Sequence, residues 1–339
     1  MSMLDEQYRT ENAPSKKEKY ANWAAASGLQ DVDGLKTSTY LDEVAKRDIE
    51  GEIDAYRAKE LIDSYYETMA EMEEADRHAE ADKVAARINI LISEKAFTLS
   101  TEELIDLHAR LFEGVFDFAG QIRKNNIMKY EWVLAGDTVT YGNAYNLRAN
   151  IDNLMKKERL TPFRQMDEEE RIAHLSQFCA DLWQLHPFRE GNTRTTAVFM
   201  IKYLRSLGYE VDNTLFRDHS RFFRNALVRA NYNHLKKGIF EDREPLEYFF
   251  QDLVNGTRHE MKSRNLLVGS NGETLKNQDL NSRILSLIKM DPTLSREQMA
   301  GQLQVSVKTI ERHLKELSNR IKRTGSRKKG EWTLTDDSC

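Results

Sequence analysis

Two apolar runs, residues 175–185 and 195–207, flank nine residues of a very different kind: His186-Pro-Phe-Arg-Glu-Gly-Asn-Thr-Arg194. Pro187 and Gly191 mark a turn, and the spacing predicts that a second helix starts at Thr193 or a neighbour. A turn of that kind aims backbone N–H groups and the positive end of a helix dipole at whatever lies in front of it, which favours phosphate. The rest of the chain has to pack around this helix–turn–helix. Only 16 of 339 residues are Gly and 5 are Pro, so long helices with short connections are expected. A histidine before a proline is most often a satisfied capping residue. Here one imidazole, one carboxylate, a Gly-Asn pair and two arginines fall within nine positions, and that clustering argues for a site.

Each residue type has a use in phosphoryl chemistry. Neutral His186 can accept a proton from an attacking hydroxyl. Glu190 is a hard oxygen ligand suited to Mg²⁺. Gly191 lets the backbone approach an anion closely, and Asn192 and Arg194 can stabilise charge on phosphoryl oxygens. The run resembles the signature of Fic proteins, His-x-Phe-x-Asp/Glu-Gly-Asn-Gly-Arg-x-x-Arg, at His186, Phe188, Glu190, Gly191, Asn192 and Arg194. The resemblance implies transfer of AMP from ATP to a protein hydroxyl, with His186 as base, Glu190 holding Mg²⁺, and Asn192 and Arg194 around the phosphates. Two positions depart from it. Thr193 stands for Gly and puts a branched side chain beside the anion loop, where its hydroxyl can donate to a phosphate oxygen. Ala197 stands for the second Arg and removes a cation. Relatives that phosphorylate carry Lys where Thr193 stands, so transfer of phosphate, like that of UMP, is the lesser alternative.

The resemblance extends over residues 40–255, expected to be a mainly helical Fic-type catalytic domain. Residues 1–39 read as a polar arm with one short helix near residues 16–27. Apolar residues recur helically over 40–72, interrupted at Gly51. In the family, an inhibitory helix ends in Glu-Gly and pairs with the second signature Arg; Glu50-Gly51 match that end, while Lys46 and Ala197 alter the rest of the lock, so inhibition by Glu50 is expected to be weakened, absent or built on another cation. An exposed Glu before a helix-stopping Gly accounts for the same residues. Ser100-Thr-Glu-Glu103 is a capping box. Residues 127–141 read as a β-hairpin turning at 135–137; in the family this flap follows a segment like Gly120-Gln-Ile-Arg123 and docks the target protein by strand addition. The helix containing Ala226, Leu227, Ala230 and Asn231 resembles one that lines the adenine pocket, with Asn231 or Tyr232 at the base. His108, on the helix after the capping box, receives no role.

Residues 256–279 read as a linker. Residues 280–339 resemble a winged helix-turn-helix, with the third helix from residue 306 and a wing over 321–334. That tail holds twelve Lys/Arg against seven Asp/Glu, a balance of +5 in a chain whose net charge is −5, and residues 306–329 suit DNA phosphates. Such modules also serve protein contacts, including homodimers. Two cysteines, Cys179 and Cys339, give no disulfide framework. No run reaches membrane-span length and no signal-peptide pattern is present, which fits a cytoplasmic protein without membrane contact. The expected function is protein adenylyltransfer with ATP and Mg²⁺; the alternative is a DNA-binding regulator with a degenerate, nucleotide-sensing Fic domain.

Overall fold

The computed structural model describes residues 14–69, 76–268, 280–303, 305–325 and 330–334. Of the residues read above, 269–279 of the 256–279 linker, 326–329 of the basic tail and Cys339 lie outside this range.

The chain divides into two compact units. The first comprises Met1–Asn126, Gly142–Arg224 and Tyr248–His259; the second comprises Ile127–Tyr141, Asn225–Glu247 and Glu260–Cys339. The segments 127–141 and 225–247, read from sequence as parts of the catalytic domain, therefore group with the tail.

The first unit is helical. α1 (Lys16–Gly28) opens with a capping box at Ser15 and Glu18. It is no exposed arm: Trp23, Ala25 and Ala26 are buried, and Gly28 lies so close to the Arg217 backbone that a Cβ would stand 2.4 Å from its Cα. α2 (Thr39–Glu50) ends at Gly51 in the left-handed region, φ +82°, the stop its sequence announced. α3 (Ala55–Met69), α4 (Asp76–Ser93) and α5 (Thr101–Phe112) follow. Ser100 caps α5 by accepting the Glu103 N–H. α6 (Leu147–Arg159) and α7 (Glu168–Leu185) lead to the signature turn, and α8 (Asn192–Ser206) leads away from it.

α8 is the centre of this unit. All thirteen residues from Asn192 to Leu204 are buried, which the sequence concealed because six of them are Asn, Thr, Arg or Lys. Two cations on α8 serve as fasteners. Lys202 Nζ donates to the carbonyls of Leu91 and Glu94, both at 3.0 Å, and Arg205 donates to the Ile92 carbonyl. These are the orphan carbonyls at the end of α4, where positive charge is also favoured by the helix dipole. Burial holds both side chains below their ordinary pKa. α9 (Leu215–Ala230) is kinked at His219, and its first half packs Phe216 and Phe223 edge-on and tilted against Phe249 of α10 (Glu244–Asn255).

The second unit contains three tail helices, α11 (Leu280–Met290), α12 (Arg296–Leu303) and α13 (Val307–Glu316), and an antiparallel ladder of β1 (Ile321–Gly325) with β2 (Gly330–Leu334) in the register Ile321–Leu334 to Gly325–Gly330. Ile284, Leu287, Met299, Leu303, Ile310, Leu314 and Trp332 share one core. The expected hairpin over 127–141 is reduced to a single antiparallel bridge, Tyr130–Thr138. Between them the chain coils into a 3₁₀ turn, Trp132–Leu134, with Val133 and Leu134 buried. Its β-type residues are spent on the core, and Trp132 packs against the tail cluster. None of the described helices is long and apolar enough to cross a membrane.

Candidate active site

The signature turn is held from below by its own neighbours. His186 ends α7 in the left-handed region, φ +47°, a conformation that costs a non-glycine residue of order 1 kcal/mol. Three contacts sustain it. The His186 N–H donates to the Trp183 carbonyl at 3.0 Å. Arg123 Nε donates to the His186 carbonyl at 2.7 Å. The Arg123 N–H donates to the Pro187 carbonyl at 2.8 Å. The same guanidinium donates to the carbonyls of Asn125, Gly142 and Leu185, so one buried arginine collects four carbonyls around the turn. Desolvation lowers its pKa. The sequence showed Arg123 only as the end of a Gly-x-x-Arg segment, since its partners are up to 63 positions away.

His186 is 3% exposed. Its Nδ1 lies 3.2 Å from the Trp183 carbonyl. A carbonyl only accepts, so Nδ1 carries the proton and Nε2 is the basic nitrogen. The Trp183 ring meets the imidazole edge to face at 5.2 Å.

The far side of the turn rests on α5. His108 stacks on the Phe188 ring at 3.7 Å. Its Nδ1 accepts the Gly120 N–H at 2.8 Å, so Nε2 is the donor to the Glu190 carbonyl at 3.1 Å. Burial pushes its pKa down to about 4, which keeps the ring neutral. Gly191, φ +78°, is required twice over: by that conformation and by Phe112, whose ring a Cβ would meet at 2.4 Å.

The sequence-selected side chains take different positions. The turn brings His186, Glu190, Gly191, Asn192, Thr193 and Arg194 together. Glu190 is exposed. Among the described residues no cluster of three His, Cys, Asp or Glu could cage a metal; a largely hydrated Mg²⁺ needs only one or two exposed carboxylates. Asn192 clamps the loop, accepting the Phe188 N–H at 2.9 Å and donating to the Phe188 carbonyl at 2.8 Å. Thr193 Oγ1 accepts the Trp183 indole N–H at 2.9 Å. The Arg194 side chain is buried and surrounded. NH1 donates to Gln30 at 3.1 Å and NH2 to Glu80 at 2.8 Å. Nε lies 2.8 Å from Asp33 Oδ2, an ion pair without hydrogen-bond alignment. The guanidinium covers the Phe112 ring at 4.8 Å. In this conformation the side chains of Asn192 and Arg194 serve the protein, and what the turn presents to an anion is the first-turn backbone of α8. Ala197 is fully buried, so that position offers no surface for a cation.

Glu50 lies apart from this constellation in its contacts. Its exposed carboxylate pairs with Lys16 Nζ at 2.6 Å, which lowers its pKa. In the second unit, Asn231 Nδ2 donates to the Leu227 carbonyl at 3.0 Å and Tyr232 donates to Asp137 at 2.8 Å, tying α9's end to the 127–141 segment.

Residues 98–204 match the family model "Fic/DOC family". A protein adenylyltransferase of Bartonella henselae is 25% identical over 224 residues, which are 57% of this chain and 38% of that protein. A probable protein adenylyltransferase, y4lH, of Sinorhizobium fredii is 31% identical over 127 residues, 37% of this chain and 61% of its own length. The chain thus spans less than two thirds of either relative. A solved Fic family protein from Desulfovibrio desulfuricans G20 aligns over 92% of this chain and 97% of its own at 15% identity and a TM-score of 0.41. With the turn His186–Arg194 lying inside the matched span, residues 98–204 are a Fic domain.

Proposed function

We propose that this protein is an adenylyltransferase that moves AMP from ATP to a Ser, Thr or Tyr hydroxyl of a target protein or of itself. The observation that carries the reading is the tautomer of His186: Nδ1–H is committed to the Trp183 carbonyl, which makes Nε2 a base at a turn that leads into the N-terminus of α8. The hydroxyl oxygen bonds to the α-phosphorus, the bond from that phosphorus to the bridging oxygen of pyrophosphate breaks, and the hydroxyl proton passes to His186 Nε2. Catalysis of this kind rests on positioning and charge stabilisation. First-turn amides of α8 would hold phosphate oxygens. Glu190 would hold Mg²⁺, which neutralises phosphate charge when bound. The names of the relatives support the reaction class.

Asn192, Thr193 and Arg194 are proposed contacts to the phosphates. Arg194 reaches a phosphate only by exchanging Asp33 and Glu80 for it. Asn231 stays a proposed contact to the base, the 127–141 segment a proposed dock for the target, and Glu50 a proposed inhibitor that must first leave Lys16. The test is intact mass of the full chain after incubation with ATP and Mg²⁺, beside His186→Ala. A gain of one AMP moiety in the wild type alone supports the reading; a gain in His186→Ala as well removes His186 as the base.

The second reading is a DNA-binding regulator with a winged-helix tail. It is favoured by Lys308, Arg312 and Lys315, which stand exposed on α13, with Lys322 exposed on β1. Duplex binding whose affinity falls steeply with salt, without any AMP transfer, would favour it.

A further inference from the structure

Trp183 touches both ends of the signature turn. Its carbonyl accepts the His186 N–H at 3.0 Å and faces His186 Nδ1 at 3.2 Å. Its ring meets the His186 ring edge to face at 5.2 Å. Its indole Nε1–H donates to Thr193 Oγ1 at 2.9 Å. Trp183 is 0% exposed and Thr193 4% exposed, so no solvent competes for the bond. Thr193 is the residue at which this chain departs from the signature glycine. A glycine there has no acceptor to offer the indole.

The geometry points to Thr193 as a positioning residue for His186, acting through Trp183. A tryptophan has two side-chain torsions, and one buried hydrogen bond at the rim of the indole fixes both. With the indole fixed, the face it presents to the imidazole is fixed, and so is the angle at which Nδ1 meets the Trp183 carbonyl. Because Thr193 lies in the first turn of α8, an anion drawn to those amides pulls on the same residue that anchors the indole. Binding at α8 and orientation of the base are thereby coupled across ten residues of sequence. The inference rests on the proposal that His186 is the base, but the contact chain it names is readable without any reaction.

Two substitutions isolate the bond. Thr193→Val keeps the volume and removes the acceptor. Trp183→Phe keeps the carbonyl and an aromatic edge and removes the donor. Thr193→Ser restores the acceptor. The first readout is the ¹⁵N-histidine spectrum of the full chain, with the His186 signals assigned by their loss in His186→Ala. Wild type and Thr193→Ser should show Nδ1 protonated and Nε2 bare; Thr193→Val and Trp183→Phe should each give a mixture of tautomers, and the double variant no more than either alone. The second readout is AMP transfer: kcat lower by about tenfold in Thr193→Val, the scale of one buried hydrogen bond, with KM for ATP changed by less than about twofold and recovery in Thr193→Ser.

A Thr193→Val protein that melts like wild type and retains a single His186 tautomer overturns the inference, whatever its activity. If Thr193→Val does not fold, Trp183→Phe decides by the same criterion. A tautomer shift in variants of a protein that transfers nothing upholds the positioning contact and removes the adenylyltransfer reading instead.

Discussion

The signature turn and α13 are both rich in cations, and they use them in opposite ways. Arg194, Arg123 and Lys202 are buried and surrounded by carboxylates or carbonyls. Lys308, Arg312 and Lys315 stand in water, where Arg312 has Glu316 at 3.9 Å and Arg296 of α12 meets Glu311 at 3.2 Å. The first set holds the fold and the second is available to a partner. A charge count over either stretch cannot tell them apart; the carbonyls and carboxylates that face each cation do.

The largest expected difference comes from Arg194→Met, which strands Asp33 and Glu80 beside an apolar side chain. Breaking a buried pair costs about 3–5 kcal/mol, so thermal melting should fall by many degrees, while Arg312→Ala should stay within about 0.5 kcal/mol of wild type. Equal melting of the two would mean that the buried and exposed cations contribute alike to the fold.

Next comes pH. His108 has a folded pKa of about 4 against an ordinary value near 6.5. Its neutral form is the one that fits, so its contribution is fully present above about pH 6.5 and is lost as pH falls through 4, about 3 kcal/mol in all. Urea midpoints across that window should therefore drop more in wild type than in His108→Phe, which keeps the stack on Phe188 and has nothing to titrate. Parallel curves would mean that His108 is not the group responsible.

Gly191→Ala forces a Cβ onto Phe112 and a left-handed backbone on alanine; a loss of about 1–3 kcal/mol follows, visible in the denaturation midpoint. The smallest effect on stability, within about 0.5 kcal/mol, is expected for Lys308→Gln with Lys315→Gln. If the tail binds duplex DNA, the same pair should lower the slope of log K against log salt by about 2; an unchanged slope takes these residues out of any DNA contact.

Local features were legible in the sequence. The cap at Ser100, the stop at Gly51 and the turn between α7 and α8 are set by residues within four positions of one another. The turn's chemistry was legible as a composition. What was hidden is the far partner: Gln30 lies 164 positions from Arg194, Glu80 lies 114 away, and Glu190 lies 82 from His108. Nothing in spacing marks such pairs, so the groups that hold Arg194 and the carbonyl that His108 meets could not be read from the sequence. The 127–141 segment misled in another way. Its β-type residues around a turn suited a hairpin, but Val133 and Leu134 are buried in a 3₁₀ turn instead.

The burial of α8 on all sides has a temporal consequence. Amide protons exchange with water only when their hydrogen bonds open, and exposed helices fray from the ends. From Val198 to Tyr203 no face of α8 meets solvent, and the cations near its end also close α4. Those amides should exchange only when the whole first unit opens, among the slowest in the molecule. The floor beneath His186 would then stay in place between unfolding events, outlasting by orders of magnitude any ligand that comes and goes above it.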